Sequence, residues 1–65
     1  MRYNPLWKLL IDKNMKKKHL IESIGISKST INKMNRGDYV ALEVIDRICD
    51  FLDCQVSDVV EFYRE

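Results

Sequence analysis

Gly25-Ile26-Ser27-Lys28-Ser29-Thr30-Ile31-Asn32-Lys33-Met34-Asn35-Arg36-Gly37 reads as a tight glycine turn, a serine N-cap and a short helix closed by a second glycine. Serine oxygens satisfy the free N–H groups at helix starts, and glycine accepts the left-handed geometry at helix ends. At about 100° per residue, Lys28, Ser29, Asn32, Lys33 and Arg36 share one arc of about 140°, while Ile31 and Met34 lie opposite. That arc is polar or basic throughout and carries no acid. A helix of this kind buries two apolar side chains and turns a row of donors outward. It suits a surface rich in acceptors, such as the major groove of double-stranded DNA.

Upstream of the glycine turn, Lys17 to Ile24 carries Leu20, Ile21 and Ile24 at inward helical spacing. Ile26 then inserts into the core from the turn. Lys16, Lys17 and Lys18 stand at the mouth of this second helix, where cations oppose the macrodipole by a few tenths of a kcal/mol each. That placement makes sense beside phosphates; the alternative is a lysine-rich solvated turn. His19 is expected to be exposed, with no base or ligand role. Downstream of Gly37, Asp38 to Ala41 forms a loop and Leu42 to Leu52 the longest helix. Leu42, Ile45, Ile48, Cys49 and Leu52 face in, Glu43, Asp46, Arg47 and Asp50 face out, and Val44 and Phe51 flank the stripe.

The outer segments complete an all-α pattern of five short helices. Residues 1–4 read as a short arm ending at Asn4-Pro5, where Asn caps and Pro takes the first helical position because its missing N–H costs nothing there. The first helix runs from about Pro5 to Lys13, with Leu6, Leu9 and Leu10 as its core stripe. Trp7 and Ile11 widen the apolar arc to about 200°, so Trp7 either closes the edge of the core or joins a subunit contact. Near the other end Ser57 caps a last helix, Asp58 complements its positive end, and Val59, Val60, Phe62 and Tyr63 supply its apolar content. This much apolar surface predicts docking on the chain's own core and on a second subunit. Trp7, Phe51, Val60, Phe62 and Tyr63 are the candidate dimer residues.

The 65 residues are expected to form one domain, 1–65, which buries only about 60% of its unfolded surface and has a small core. No apolar run approaches the ~20 residues of a membrane span, and no secretory leader pattern opens the chain, so a cytoplasmic protein is expected. Two cysteines agree with that. If Cys49 and Cys54 shared one helix, their Cα atoms would lie over ~7 Å apart, too far for a bridge, and reduced thiols are the default. C-x4-C with the lone His19 lacks a fourth zinc ligand, so neither metal nor other cofactor is expected. The net charge of +1 conceals an asymmetry. Residues 1–36 carry nine Lys/Arg against Asp12 and Glu22, whereas residues 37–65 carry Arg47 and Arg64 against eight carboxylates. A polyanion would meet the first half.

Leu20, Ile24, Gly25, Ile26, Ile31 and Met34, in this spacing and among five short helices, resemble the Cro/cI phage-repressor type of helix-turn-helix, also called Xre-like. The segment from Gly25 to Lys33 is the specific part of the likeness, which extends over about Leu6 to Glu61. The Leu42-to-Leu52 helix and the stretch Cys54-Gln55-Val56-Ser57-Asp58 resemble the family as well. The resemblance implies a compact five-helix, lambda-repressor-like DNA-binding domain with the helix-turn-helix in helices 2 and 3. It implies base-edge contacts from Lys28, Ser29, Asn32 and Lys33, and backbone contacts from Lys17, Ser27, Arg36 and Tyr39, with Lys16 and Lys18 beside them. Side-chain chemistry agrees: Lys donates to guanine O6 and N7, Asn pairs with adenine, and Ser accepts several partners. Two positions depart from the pattern. The usual small residue in helix 2 is Ile21, which predicts a slightly splayed helix pair or a rotated side chain. The usual Ser/Thr cap is Lys16, which predicts a weaker cap offset by phosphate attraction.

The leading expectation is therefore a sequence-specific DNA-binding transcriptional regulator, a repressor if the resemblance to phage repressors extends that far. It would bind a palindromic operator as a homodimer, because one small module offers too few base contacts for useful specificity. The rival expectation is a small non-catalytic interaction modulator, antitoxin-like or phage-type, whose acidic second half binds a protein. An enzyme is not expected: there is one His, no Gly-rich phosphate loop, no paired carboxylates in a cleft and no nucleophile with a base partner.

Overall fold

The elements follow from caps and breakers in the chain. The computed structural model describes residues 2–62, in which α1 (Asn4–Asp12), α2 (Lys17–Ile24), α3 (Lys28–Asn35) and α4 (Leu42–Leu52) are followed by a single 3-10 turn, Val56–Asp58. The bounds of α2, α3 and α4 are those expected from the sequence. Gly25 ends α2 with φ 71° and Gly37 follows α3 with φ 78°, left-handed geometry that glycine adopts without a Cβ penalty. Ser27 caps α3, its Oγ accepting the Thr30 N–H at 3.1 Å.

One core unites the elements. Leu6 and Leu10 from α1, Leu20 from α2, Ile31 and Met34 from α3, and Ile45, Ile48 and Leu52 from α4 are buried, together with Ile26 from the turn and Val59 beyond the 3-10 segment. Ile21 and Ile24 pack against this core half-buried. Each helix is at most 11 residues long, below the ~12–15 at which isolated helices hold in water, so the shared core supplies their stability.

The start of the chain differs from the expected arm. Tyr3 is only 1% exposed, and its hydroxyl donates to the Asp38 carbonyl at 2.8 Å, tying the start of the chain to the α3–α4 loop. Arg2 and Glu61 exchange backbone bonds of 2.9 and 2.8 Å in an antiparallel bridge. Because Tyr3 is drawn inward, the helix begins one residue earlier than expected. Tyr3 occupies the cap position, its carbonyl accepting the Trp7 N–H at 3.1 Å, and Asn4 lies inside the first turn instead of capping it.

The expected fifth helix is the 3-10 turn. Asp53, at φ 52°, ends α4. Gln55 caps the next turn in place of Ser57, its N–H bonding the Asp58 carboxylate at 3.1 Å. Val59, still in the right-handed region at φ -110° and ψ -47°, and Val60 then lead into the backbone that meets Arg2. Tyr63, assigned to that helix and to the dimer surface, lies outside the described residues.

Leu42 is 81% exposed and not inward-facing. The buried residues of α4 centre on Leu52, and Leu42 lies on the order of 90° from that centre, on the opening turn where no neighbour covers it. Ile11, at the limit of the broad α1 arc, is 74% exposed. His19 is half-buried where exposure was expected. Its Nδ1 accepts the Lys16 N–H at 2.8 Å and its own N–H donates to the Lys16 carbonyl at 2.9 Å. The imidazole thus supplies from the third helical position the closure that a Ser/Thr cap would share.

The cysteines do not share one helix either. Asp53 turns the chain so that the Cys54 N–H meets the Cys49 carbonyl at 3.0 Å, the arrangement that brings flanking side chains of a helix end together. Both thiols are free and half-buried. Burial first, then the neighbouring Cys49, pushes the Cys54 thiol up to about 11, so at neutral pH it stays protonated and weakly nucleophilic. No helix among the described residues is long and apolar enough to cross a membrane.

Burial raises the Tyr3 phenol above its ordinary 10.0. The neutral form is therefore favoured by the fold, and its contribution is complete below pH 10 and lost as pH rises through the raised value. Tyr3→Phe is expected to lower unfolding stability in urea at pH 7 by about 1 kcal/mol, with the gap to the parent chain closing at higher pH. Equal midpoints at pH 7 would show that the bond to Asp38 contributes nothing.

Candidate nucleic-acid interface

The outward face of α3 is the structural centre of the candidate site. Ile31 and Met34 are buried beneath it, and Lys28, Ser29, Asn32 and Lys33 are all exposed above. The polar row expected from the helical wheel is thus a real surface, and its phase is set by the two buried residues. Ser27 and Ser29 are not free hydroxyls: their oxygens lie 3.2 Å apart, and Ser27 Oγ also lies 2.9 Å from Thr30 Oγ1. This small network closes the first turn and orients Ser29.

Arg36 continues the row past the helix end. Its Nε and Nη2 reach Asp38 Oδ2 at 3.0 and 2.9 Å, with both side chains at least half exposed. An exposed pair of this kind is worth little in water and can be exchanged for another anion. Tyr39 extends from the same loop, 70% exposed, and the Tyr3 hydroxyl fixes the Asp38 carbonyl just before it. Tyr3 is the positioning residue that sequence reasoning missed. It lies 35 residues from its partner, and no local periodicity marks it.

The lysines at the mouth of α2 divide into two kinds. Lys16 and Lys18 are exposed. Lys17 is held: its Nζ donates to Asn35 Oδ1 at 2.7 Å and sits 4.3 Å from the centre of the Trp7 ring. The start of α2 is thereby tied to the end of α3 across the face of α1. An ammonium has three donors, so Lys17 can hold Asn35 and still present an N–H outward. Trp7 packs half-buried against the core with this cation over its ring, which places it at the core edge. Of the other candidate dimer residues, Val60 packs half-buried on the core, while Phe51 and Phe62 are exposed, the latter 71%.

Charge completes the arrangement. Exposed Lys16, Lys17, Lys18, Lys28, Lys33 and Arg36 lie on α2, α3 and the residues that flank them, whereas Glu43, Asp46 and Asp50 are exposed along α4. The asymmetry of the sequence is therefore an asymmetry between helices. Among the described residues, no cluster of three or more His, Cys, Asp or Glu side chains is placed to hold a metal ion.

Comparison with known proteins agrees with this geometry. The family model described as a Cro/C1-type HTH DNA-binding domain matches residues 5–65. The crystal structure of the transcriptional regulator VanUg, form II, is similar to this chain with a TM-score of 0.93 and 47% sequence identity, over 98% of this chain and 85% of that one. No curated protein matches.

Proposed function

The chain belongs to the Cro/C1-type HTH DNA-binding domain family, and from that premise we propose that it is a sequence-specific regulator of transcription whose α3 lies in the DNA major groove. The observation that carries this reading is the exposed row of Lys28, Ser29, Asn32 and Lys33 above buried Ile31 and Met34. Lys28 and Lys33 donate to guanine edges, Asn32 pairs with adenine and Ser29 adapts to its neighbour. Lys16, Lys17, Lys18, Ser27, Arg36 and Tyr39 contact the sugar-phosphate backbone and set the register of α3. Its structural relative's description as a transcriptional regulator supports the same role.

The active species in this reading is a homodimer on a palindromic operator, with half-sites about one helical turn apart. Exposed Phe51 and Phe62, with Val60 and the edge of Trp7, supply its contact. No catalytic step is involved.

Lys33→Ala is expected to change which sequence is enriched from a random DNA pool and to weaken binding to the parent's preferred site by about 1–3 kcal/mol. Equal weakening on every sequence would make Lys33 a phosphate contact. Lys17→Ala is expected to weaken all sequences alike and to reduce the slope of log K against log[salt] by about one. A preserved slope would remove Lys17 from the backbone contacts.

A further inference from the structure

A shallow groove of about 360 Å³ runs between the end of α1 and the start of α2, floored by Trp7, Leu10, Ile11 and Met15 and rimmed by Lys16 and Lys17, with no carboxylate in its lining. Ile11 is 74% exposed there. Lys17 leans toward Asn35 and Trp7, and Lys16 is exposed beside it. An occupant of this groove has to bring an aliphatic side chain for the floor and an acid for the rim.

The outer side of α4 carries that combination. Leu42, Asp46 and Asp50 recur every four residues and form one ridge, with Glu43 beside it on the opening turn. Leu42 is 81% exposed. Arg47, the one cation of the helix, leans toward Gly25 and leaves the ridge acidic. Among the described residues, Lys16, Glu43, Asp46 and Asp50 form no ion pair within the chain. Single exposed apolar residues are ordinary on a protein surface. Here, however, the two most exposed large aliphatic side chains among the described residues, Leu42 and Ile11, border charges of opposite sign.

We propose that the α4 ridge of one copy of this chain seats in the α1–α2 groove of another, with Leu42 against Ile11 and Met15 and the carboxylates of Glu43 and Asp46 on Lys16 and Lys17. Because it joins two different patches, the contact runs head to tail. It is only a few side chains across, which places it with weak, transient interfaces. Copies that are off DNA cover one another's Lys16 and Lys17, and a duplex claims those lysines back. That antagonism, unlike the contact itself, rests on the reading of Lys16 and Lys17 as backbone contacts.

Two full-length variants separate the halves of the contact. Leu42→Asp spoils the ridge and keeps the groove; Ile11→Glu spoils the groove and keeps the ridge. Both positions are exposed, so both chains should keep the parent's core and a dispersed NMR spectrum. At low salt, adding unlabelled Ile11→Glu chain to labelled Leu42→Asp chain should shift the Trp7 indole N–H and the Ile11 and Met15 amides in a saturable way. Adding unlabelled Leu42→Asp chain should leave them still. The shifts should shrink toward zero near 1 M salt, where screening acts within about 3 Å. No shift on mixing, equal shifts from both unlabelled chains, or shifts undiminished by salt would each overturn the proposal. With the labels reversed, the Asp46 amide of the Ile11→Glu chain should return to its free position when duplex DNA is added. If it stays displaced, the contact between copies stands and the backbone-contact reading of Lys16 and Lys17 falls.

Discussion

Burial of Ile31 and Met34 is the constraint on which the rest of the molecule depends. An eight-residue helix with four polar or basic residues on its outer arc has no means of holding its own shape in water. It exists because those two side chains enter a core shared with Leu6, Leu20, Ile45 and Ile48, and that contact fixes rotation as well as existence. Turn α3 by one residue and a lysine enters the core while an isoleucine meets solvent. The exposed row is the necessary counterpart of the buried pair.

The chain was legible wherever its signals were local. Helical spacing placed Leu20, Ile31, Met34, Ile45, Ile48 and Leu52 inside, and Ser27, Gly25 and Gly37 marked the limits of the helix-turn-helix. The misjudged features are those set by contacts distant in sequence. Tyr3 reads as part of an arm until its hydroxyl is seen on Asp38. The fifth helix shrinks to one turn because the backbone beyond Val59 finds partners at Arg2 instead of in its own next turn. Leu42 has the right residue type and the wrong neighbours. His19 completes a cap from inside the helix, a role that imidazole shares with too many others to be read from type alone.

The candidate site was legible for the same reason and to the same extent. Its exposed row follows from helical phase, so Lys28, Ser29, Asn32, Lys33 and Arg36 could be placed on the surface from the sequence. Its supporting contacts could not. Lys17 carries a charge that suggests a phosphate partner, yet what the fold shows is a tether to Asn35 and Trp7, which joins three helices at the base of α3. The Arg36–Asp38 pair likewise depends on the loop geometry that Tyr3 imposes. Most exposed basic residues of the two middle helices face solvent beside one another, while Glu43, Asp46 and Asp50 line α4.

The measurement that bears most directly on this account is amide and side-chain NMR mapping of the labelled chain, titrated with a duplex selected from a random pool. The largest shifts should fall on Lys28, Ser29, Asn32 and Lys33, with a surrounding ring at the mouth of α2 and the α3–α4 loop. Shifts confined to the acidic outer face of α4, with the α3 signals unmoved, would contradict it.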